Sequence, residues 1–326
     1  MFDVITVGSG TMDVFMETGS KLFTKDNVKE EHGGVVVPFG SKIVIDEMRS
    51  DIGGGGTNTA VALARLGLNV AWIGKMSNDR DSKIILDFMK KEKVNTKLVC
   101  KDDKGAGFSV ILDAEGHDRT ILAYKGSNNN LLFDEINLKK LRTKWLYFSS
   151  MIDESYKTLE KLAEYAKEKG IMIAFNPSSY LVSKGKDFLQ PLISKADILV
   201  FNKEEAEMLV GADTIGKMFK KVHALGPRLV IITDGKNGAY CYDGKLIYQA
   251  PAHNIKVVET TGAGDAFAAS FLAGIILKND IKTALMWGIA NSHSVIQHYG
   301  AKNKLLTYAE ISAYLKKHKV DIKARL

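Results

Sequence analysis

Two cysteines, Cys100 and Cys241, are the only thiols in 326 residues, too few for a disulfide framework. Both fall in predicted strands, where free thiols are ordinarily buried, so a reducing, cytoplasmic setting is expected. Five prolines give no Pro-rich stretch, which argues against a long interdomain linker, and there is no repeat or low-complexity segment. No apolar run approaches the ~20 residues that cross a bilayer; the longest lies around Ala266 to Leu277. The chain opens directly on a strand pattern instead of a charged leader and apolar core, so a soluble protein is expected. The seven histidines are dispersed, and His293 and His298 fall on different faces of a predicted helix, so imidazole ligation of a metal is not expected.

Charge of one sign is also missing: 45 Lys and Arg against 38 Asp and Glu leave a net charge of +7. The densest basic run, Lys316-Lys317-His318-Lys319 with Lys323 and Arg325, lacks the aromatic platform of a nucleic-acid surface and reads as a solvated tail. A modest positive field suits small anionic substrates. With 45% hydrophobic residues, the chain can bury the core of one large domain plus a smaller element.

What the chain has is glycine at two informative places. The segment from Val257 to Leu277 sets Gly262-Ala263-Gly264-Asp265 directly onto an apolar helix. The glycines let backbone N–H groups face outward where the helix macrodipole is positive, so the turn suits an anion, above all a phosphoryl group. A carboxylate beside that site is electrostatically wasteful unless it takes a proton from an incoming hydroxyl, which points to phosphoryl transfer to an alcohol. The alternative is an Asp that caps the helix.

Far upstream, Gly53-Gly54-Gly55-Gly56-Thr57-Asn58 runs into an amphipathic helix that ends at Gly67. Four glycines strip side chains from one cavity wall, and Asn58 offers the paired donor and acceptor that a polyol wants; helix capping is its alternative role. Asp13, read as closing the first strand, is placed to accept two vicinal hydroxyls, or to cap. By contrast, Gly8-Ser9-Gly10-Thr11-Met12-Asp13 fails as a dinucleotide fingerprint, because Asp13 replaces the third glycine and no helix follows.

Together the two stretches resemble the halves of the PfkB (ribokinase-like) carbohydrate kinase family, whose patterns run GGxxxNxAxxxAxLG and DTxGAGD. The resemblance covers nearly the whole chain, because Gly105-Ala106-Gly107-Phe108, Lys125-Gly126-Ser127-Asn128, Asn202-Lys203-Glu204-Glu205 and Thr233-Asp234-Gly235-Lys236-Asn237-Gly238 follow in the family's order. It implies an ATP-dependent kinase acting on a hydroxymethyl group, with Asp265 as base and the N–H groups of Gly262, Ala263 and Gly264 as the anion hole. Asp13, Gly53, Gly54 and Asn58 would hold the acceptor. Asn202 and Glu205 would hold the water shell of Mg²⁺, Thr233, Gly235 and Gly238 would approach the nucleotide, and Asn291 would line the adenine pocket. A nucleoside kinase of the same fold, with Phe15, Phe39, Phe108 or Tyr124 stacking on a base, and a noncatalytic sugar-binding protein are the rival readings.

Three departures qualify this. Glu259 stands where the family has an Asp that helps hold a monovalent cation, so weak K⁺ activation is expected. Gly55 replaces the Lys of ribokinases proper, which argues against ribose. The stretch Gly74 to Ser82 lacks two of the family's glycines.

The remaining pattern alternates strands and helices, predicting a three-layer α/β/α core with a mostly parallel sheet. Strands are expected at Val70 to Gly74, Trp145 to Ser149, Ile171 to Phe175, Ile198 to Phe201, Leu229 to Thr233 and Ala239 to Tyr242. Helices are expected at Asn58 to Leu66, Asp79 to Glu92, Glu154 to Lys169, Glu204 to Val210, Gly264 to Leu277, Ile281 to Gln297 and Tyr308 to Lys316. Outside that alternation, Val35-Val36-Val37 with Lys42 to Ile45, and Phe108 to Leu112 with Thr120 to Tyr124, read as hairpins. They would form one small sheet, inserted at 13–50 and 105–128 into a single domain spanning 1–326, and serving as the family's lid over the sugar. Exposed edges of such a sheet offer a homodimer contact.

Overall fold

A computed structural model describes residues 1–17, 40, 42–113, 120–252, 255–318 and 321–325. The strands are β1 (Phe2–Val7), β2 (Thr11–Glu17), β3 (Glu47–Gly53), β4 (Val70–Ile73), β5 (Lys75–Met76), β6 (Cys100–Lys101), β7 (Gly107–Asp113) and β8 (Thr120–Tyr124). They continue with β9 (Thr143–Ser149), β10 (Met172–Asn176), β11 (Ile198–Asn202), β12 (Leu229–Thr233), β13 (Ala239–Tyr242), β14 (Ile247–Ala250) and β15 (Lys323–Arg325). The helices are α1 (Gly55–Arg65), α2 (Arg80–Lys91), α3 (Glu154–Glu168), α4 (Ser179–Val182) and α5 (Lys186–Ile193). They continue with α6 (Lys203–Val210), α7 (Ile215–His223), α8 (Ala263–Lys278), α9 (Ile281–Ile296) and α10 (Tyr308–Lys317).

A nine-stranded sheet in the order β15-β14-β13-β12-β11-β10-β9-β1-β4 forms the core. Its strands from β12 to β4 are parallel and those from β13 to β15 antiparallel. Apolar runs with β-branched and aromatic residues suit strands buried on both faces. Val4, Trp145, Val200 and Ile231 pack with α1, α8 and α9 on one side, while Ile5, Leu146, Leu199 and Val230 pack with α3, α5, α6 and α7 on the other. Helices α8 and α9 touch closely, since a Cβ on Gly274 would lie 2.5 Å from the Cα of Ala284.

A separate four-stranded sheet has the order β3-β2-β7-β8. The Phe108 to Leu112 and Thr120 to Tyr124 pair is there as the antiparallel β7 and β8. The first expected hairpin is not. Val35 to Val37 lie outside the described residues, and Lys42 to Ile45 form no strand. In their place β2 and β3 pair antiparallel, with Thr11 opposite Gly53 and Asp13 opposite Asp51. Asp13 therefore does not close the first core strand but lies within the small sheet, because the chain turns out at Gly8–Gly10 and re-enters a new strand. The Asn128 side chain grips that crossing, accepting from the Gly10 N–H at 3.1 Å and donating to the Gly10 carbonyl at 2.9 Å.

The parallel strands end together. Asn176 pairs with Ser149 and Asn202 with Thr233, so these polar residues line the carboxyl rim where ligands of open α/β sheets bind. The small sheet returns to that rim through Gly53 and Gly54 into α1.

Candidate active site

The start of α8 is shaped by Gly262, whose φ of 77° is left-handed and where a Cβ would come within 2.4 Å of Ala301 Cβ. No side chain caps this helix. The first-turn N–H groups of a helix have no intrahelical acceptor, and here that of Ala263 donates to the Thr260 carbonyl at 3.2 Å. Asp265 lies in that first turn without capping it, and its Oδ2 accepts from Asn58 Nδ2 at 2.7 Å. Burial raises the Asp265 pKa above the usual carboxylate value of 3.8, against the lowering influence of Asn58 and Lys302. A carboxylate so placed is a stronger proton acceptor than one in water.

Asn58 is not a cap. Gly54 holds the N-cap position of α1 without a side-chain bond, and Asn58 sits a turn further in, joining α1 to α8. Its Oδ1 is buried without a hydrogen-bond partner among the described residues. Asp13, 8% exposed, accepts from Thr11 Oγ1 at 2.9 Å, and burial raises its pKa. The wall of glycines is tight against it, since a Cβ on Gly53 would fall 1.8 Å from Asp13 Oδ2.

Two cavities open here. One of about 470 Å³ is lined by Gly55, Ser149, Asn176, Glu205, Gly262 and Asp265, with Lys125 and Tyr180 at its edge. The other, of about 790 Å³, is lined by Gly235, Gly238, Ala252, Val257, Phe267 and Ile289. Asn202, Thr233 and Gly264 line both, so the two spaces meet at the start of α8. Lys125 lies 4.8 Å from the centre of the Tyr180 ring.

Asn202 and Glu205 cap α6 reciprocally: Asn202 Oδ1 accepts from the Glu205 N–H at 2.8 Å, and Glu205 Oε2 from the Asn202 N–H at 3.0 Å. Burial pushes the Glu205 pKa up to about 7. No cluster of three or more His, Cys, Asp or Glu fit to hold a metal occurs among the described residues. Asn202 and Glu205 offer oxygen donors of the kind that suit a magnesium ion held chiefly by phosphate oxygens and water.

Asn291 lines neither cavity. It is fully buried, donates to Ser270 Oγ at 2.7 Å and accepts from the Leu306 N–H at 2.8 Å. It pins α9 to α8 and to the chain entering α10, while its neighbours Ser292 and His293 line the larger cavity. Glu259 Oε2 accepts from the Gly300 N–H at 2.9 Å, tying the α8 approach to the loop after α9. The sequence pattern does not reveal Lys302, which is 1% exposed and donates to the Ile52 carbonyl. A lysine in a loop carries no signal of burial.

Residues 18–307 match the pfkB family of carbohydrate kinases. The chain belongs to that family. It is 30% identical over 288 residues to 5-dehydro-2-deoxygluconokinase of Shouchella clausii, covering 82% of this chain and 87% of that one. It is 26% identical over 309 residues to ATP-dependent 6-phosphofructokinase of Thermoanaerobacterium thermosaccharolyticum, covering 92% and 89%. In fold it is similar to Arabidopsis thaliana ribokinase complexed with ribose and ATP, with a TM-score of 0.83 at 20% identity over 97% of this chain and 99% of that one. A nucleoside kinase of Methanocaldococcus jannaschii superposes with a TM-score of 0.81 at 20% identity, covering 98% and 99%. The core is thus ribokinase-like, and as a pfkB member the protein is a sugar kinase, a phosphotransferase with an alcohol group as acceptor. ATP with Mg²⁺ is the family's general phosphoryl donor. No described helix is long and apolar enough to cross a membrane.

Proposed function

We propose that this enzyme transfers the γ-phosphoryl group of ATP to a hydroxymethyl group of a sugar or sugar acid, with Asp265 as general base. The observation that carries this is the position of Asp265 beside an uncapped helix N-terminus where the two cavities meet. ATP occupies the larger, more apolar cavity along Gly235 and Gly238, and its phosphates run past Thr233 and Asn202 toward Gly264. Magnesium, when bound, would neutralise phosphate charge, and Asn202 and Glu205 would hold its waters. The acceptor lies in the smaller cavity against Gly55 and Asp265; Asp13, Gly53, Gly54 and Asn58 stand outside its lining, and they would meet the acceptor hydroxyls on lid closure. Asp265 takes the hydroxyl proton as the oxygen attacks phosphorus, while the N–H groups of Gly262 and Gly264 face the equatorial oxygens.

The acceptor cavity is lined by Ser9, Asn128, Ser149, Ser150, Asn176 and Ser178, hydroxyls and amides matched to a polyol. Its aromatic Tyr180 lies under Lys125, so a sugar is favoured over a nucleoside base. The relatives named 5-dehydro-2-deoxygluconokinase and ATP-dependent 6-phosphofructokinase make anionic sugars the first to test, with Lys125 as the facing cation. An ADP-release screen across hexoses, pentoses, keto-sugar acids, sugar phosphates and nucleosides decides the class, and turnover confined to nucleosides would overturn this reading.

The four-stranded sheet acts as the lid, inserted within one kinase domain, and its exposed edge strand β8 would receive a second copy. A solution mass of one chain at working concentration would exclude that pairing. Acceptor binding is expected to slow hydrogen exchange in 47–53, 107–113 and 120–124, because closure shields a sheet standing off the core. Unchanged protection with a turned-over acceptor bound would refute the lid.

Weak K⁺ dependence is expected as well. Glu259 carries an extra methylene and one of its oxygens is committed to the Gly300 N–H, whereas cation sites tolerate displacements of only about 0.2 Å. A titration of KCl in Na⁺-free buffer tests this, with Glu259→Asp expected to increase the dependence. A strong, saturable K⁺ requirement in the unmutated enzyme would show that Glu259 serves a cation after all.

A further inference from the structure

Lys302 lies in the loop between α9 and α10, where a lysine ordinarily reaches water, yet it is buried. Its ammonium donates to the carbonyl of Ile52. Its own carbonyl accepts from Arg65 Nη1 at 2.9 Å, and Arg65 is fixed by Glu92 through bonds of 2.8 and 2.6 Å. The ammonium is bound to the residue after Asp51 on β3, Asp13 on β2 pairs with Asp51 across the small sheet, and the charges of Asp51, Asp13 and Asp265 on α8 all act on it. Asp51 Oδ2 is buried with no hydrogen-bond partner among the described residues. An ammonium buried to this degree is costly unless opposite charges surround it, and the three carboxylates would repel one another without it.

We infer that Lys302 is a positioning residue for phosphoryl transfer, the internal counter-ion that keeps Asp265 ionised and seats Asp13 beside the acceptor. It thereby couples lid strand β3 to the helix that carries the base. The inference rests on Asp265 being that base.

The charges around each group give the pH behaviour. Lys302 meets Asp51, Asp13 and Asp265 as attractive charges and Arg65 as a repulsive one, and burial pushes its pKa down to about 8. Asp265 meets Lys302, Asp13 and the Asn58 amide, with the Tyr147 hydroxyl also within its field. Loss of the Lys302 proton removes the counter-ion that seats Asp13, so activity is expected to fall on the alkaline side to a lower plateau.

The test is kcat/KM for the acceptor from pH 5 to 10, in the unmutated enzyme, Asp51→Asn and Lys302→Met. The unmutated enzyme should lose activity as pH rises through about 8. Asp51→Asn should move that limb to lower pH, because the largest attractive charge on Lys302 is gone. Lys302→Met should run at the unmutated enzyme's lower alkaline level, show no alkaline limb and carry the acid limb to higher pH, so that the rate at acid pH drops roughly tenfold for every pH unit the limb travels; a residue needed only for folding would lower the profile evenly. An alkaline limb that persists in Lys302→Met, or an unmutated profile flat to pH 9.5, overturns the inference. Should Lys302→Met not fold, the comparison with Asp51→Asn decides, and coincident limbs overturn it. Normal turnover by Asp265→Asn would instead remove the underlying reading of the base, so the two failures are separable.

Discussion

Asp265→Asn is expected to lower kcat by at least ~10²-fold, the usual loss when a positioned general base is removed, with ATP affinity nearly unchanged. The substitution keeps the shape of the side chain and leaves an oxygen for Asn58 Nδ2, which now lies 2.7 Å from Oδ2. What it removes is the capacity to accept a proton as the acceptor oxygen attacks. As a general base only the ionised carboxylate would serve, so activity is expected to rise with pH through the Asp265 pKa, and burial places that limb above 3.8. The same displacement of the pKa has a stability consequence. A carboxyl whose folded pKa is raised contributes stability below its unfolded pKa and loses it as pH rises through the folded value. Asp265→Asn should therefore melt at a higher temperature than the unmutated protein at neutral pH, a stability gained where function is given up. Steady-state kinetics, nucleotide titration and a melting curve check the three parts, and near-normal turnover would end the assignment of Asp265 as base.

The sequence shows most of the core because the parallel strands are short, β-branched and bounded by turn residues. Leu229–Thr233 and Ala239–Tyr242 agree at both ends with the pattern, β9 to β11 and the other expected helices differ by two residues or fewer, and α1 begins three residues earlier than expected, at Gly55. Helices α5 and α7 are hidden by Pro191 and Gly216, residues that weaken a helical pattern, although Leu189, Leu192, Met218 and Phe219 give them buried faces. Strand β3 is hidden differently. Glu47-Met48-Arg49-Ser50 is exposed on both sides, so no alternation marks it, and its strand character comes from pairing with β2. Within the site, glycine turns and acidic residues were legible because their spacing carries chemistry. Asn291 and Lys302 were not, since burial by distant elements decides their roles. A buried asparagine that pins a helix and one that lines a pocket look alike in one dimension.

Gly53→Ala is expected to be the most damaging change outside the anion hole. A Cβ there would lie 1.8 Å from Asp13 Oδ2 and 2.4 Å from Asp13 Cγ. Asp13 cannot simply swing aside, because Thr11 and Ser109 hold its carboxylate and the side chain is 8% exposed. The substitution should thus act by displacing Asp13 from the acceptor hydroxyls. Losing hydrogen bonds to a charged group costs about 1.5–3 kcal/mol, roughly 10- to 10²-fold in kcat/KM for the acceptor, while the larger cavity, proposed for the nucleotide and not lined by Gly53, should keep its affinity. A double-mutant cycle isolates the cause. If the harm runs through Asp13, Asp13→Ala relieves the clash, and the double variant should be no worse than Asp13→Ala alone. Additive losses would show instead that Gly53 contacts the acceptor through its backbone or maintains the lid hinge independently of Asp13. Loss of ATP affinity in Gly53→Ala would place its effect on the core and not on the acceptor wall.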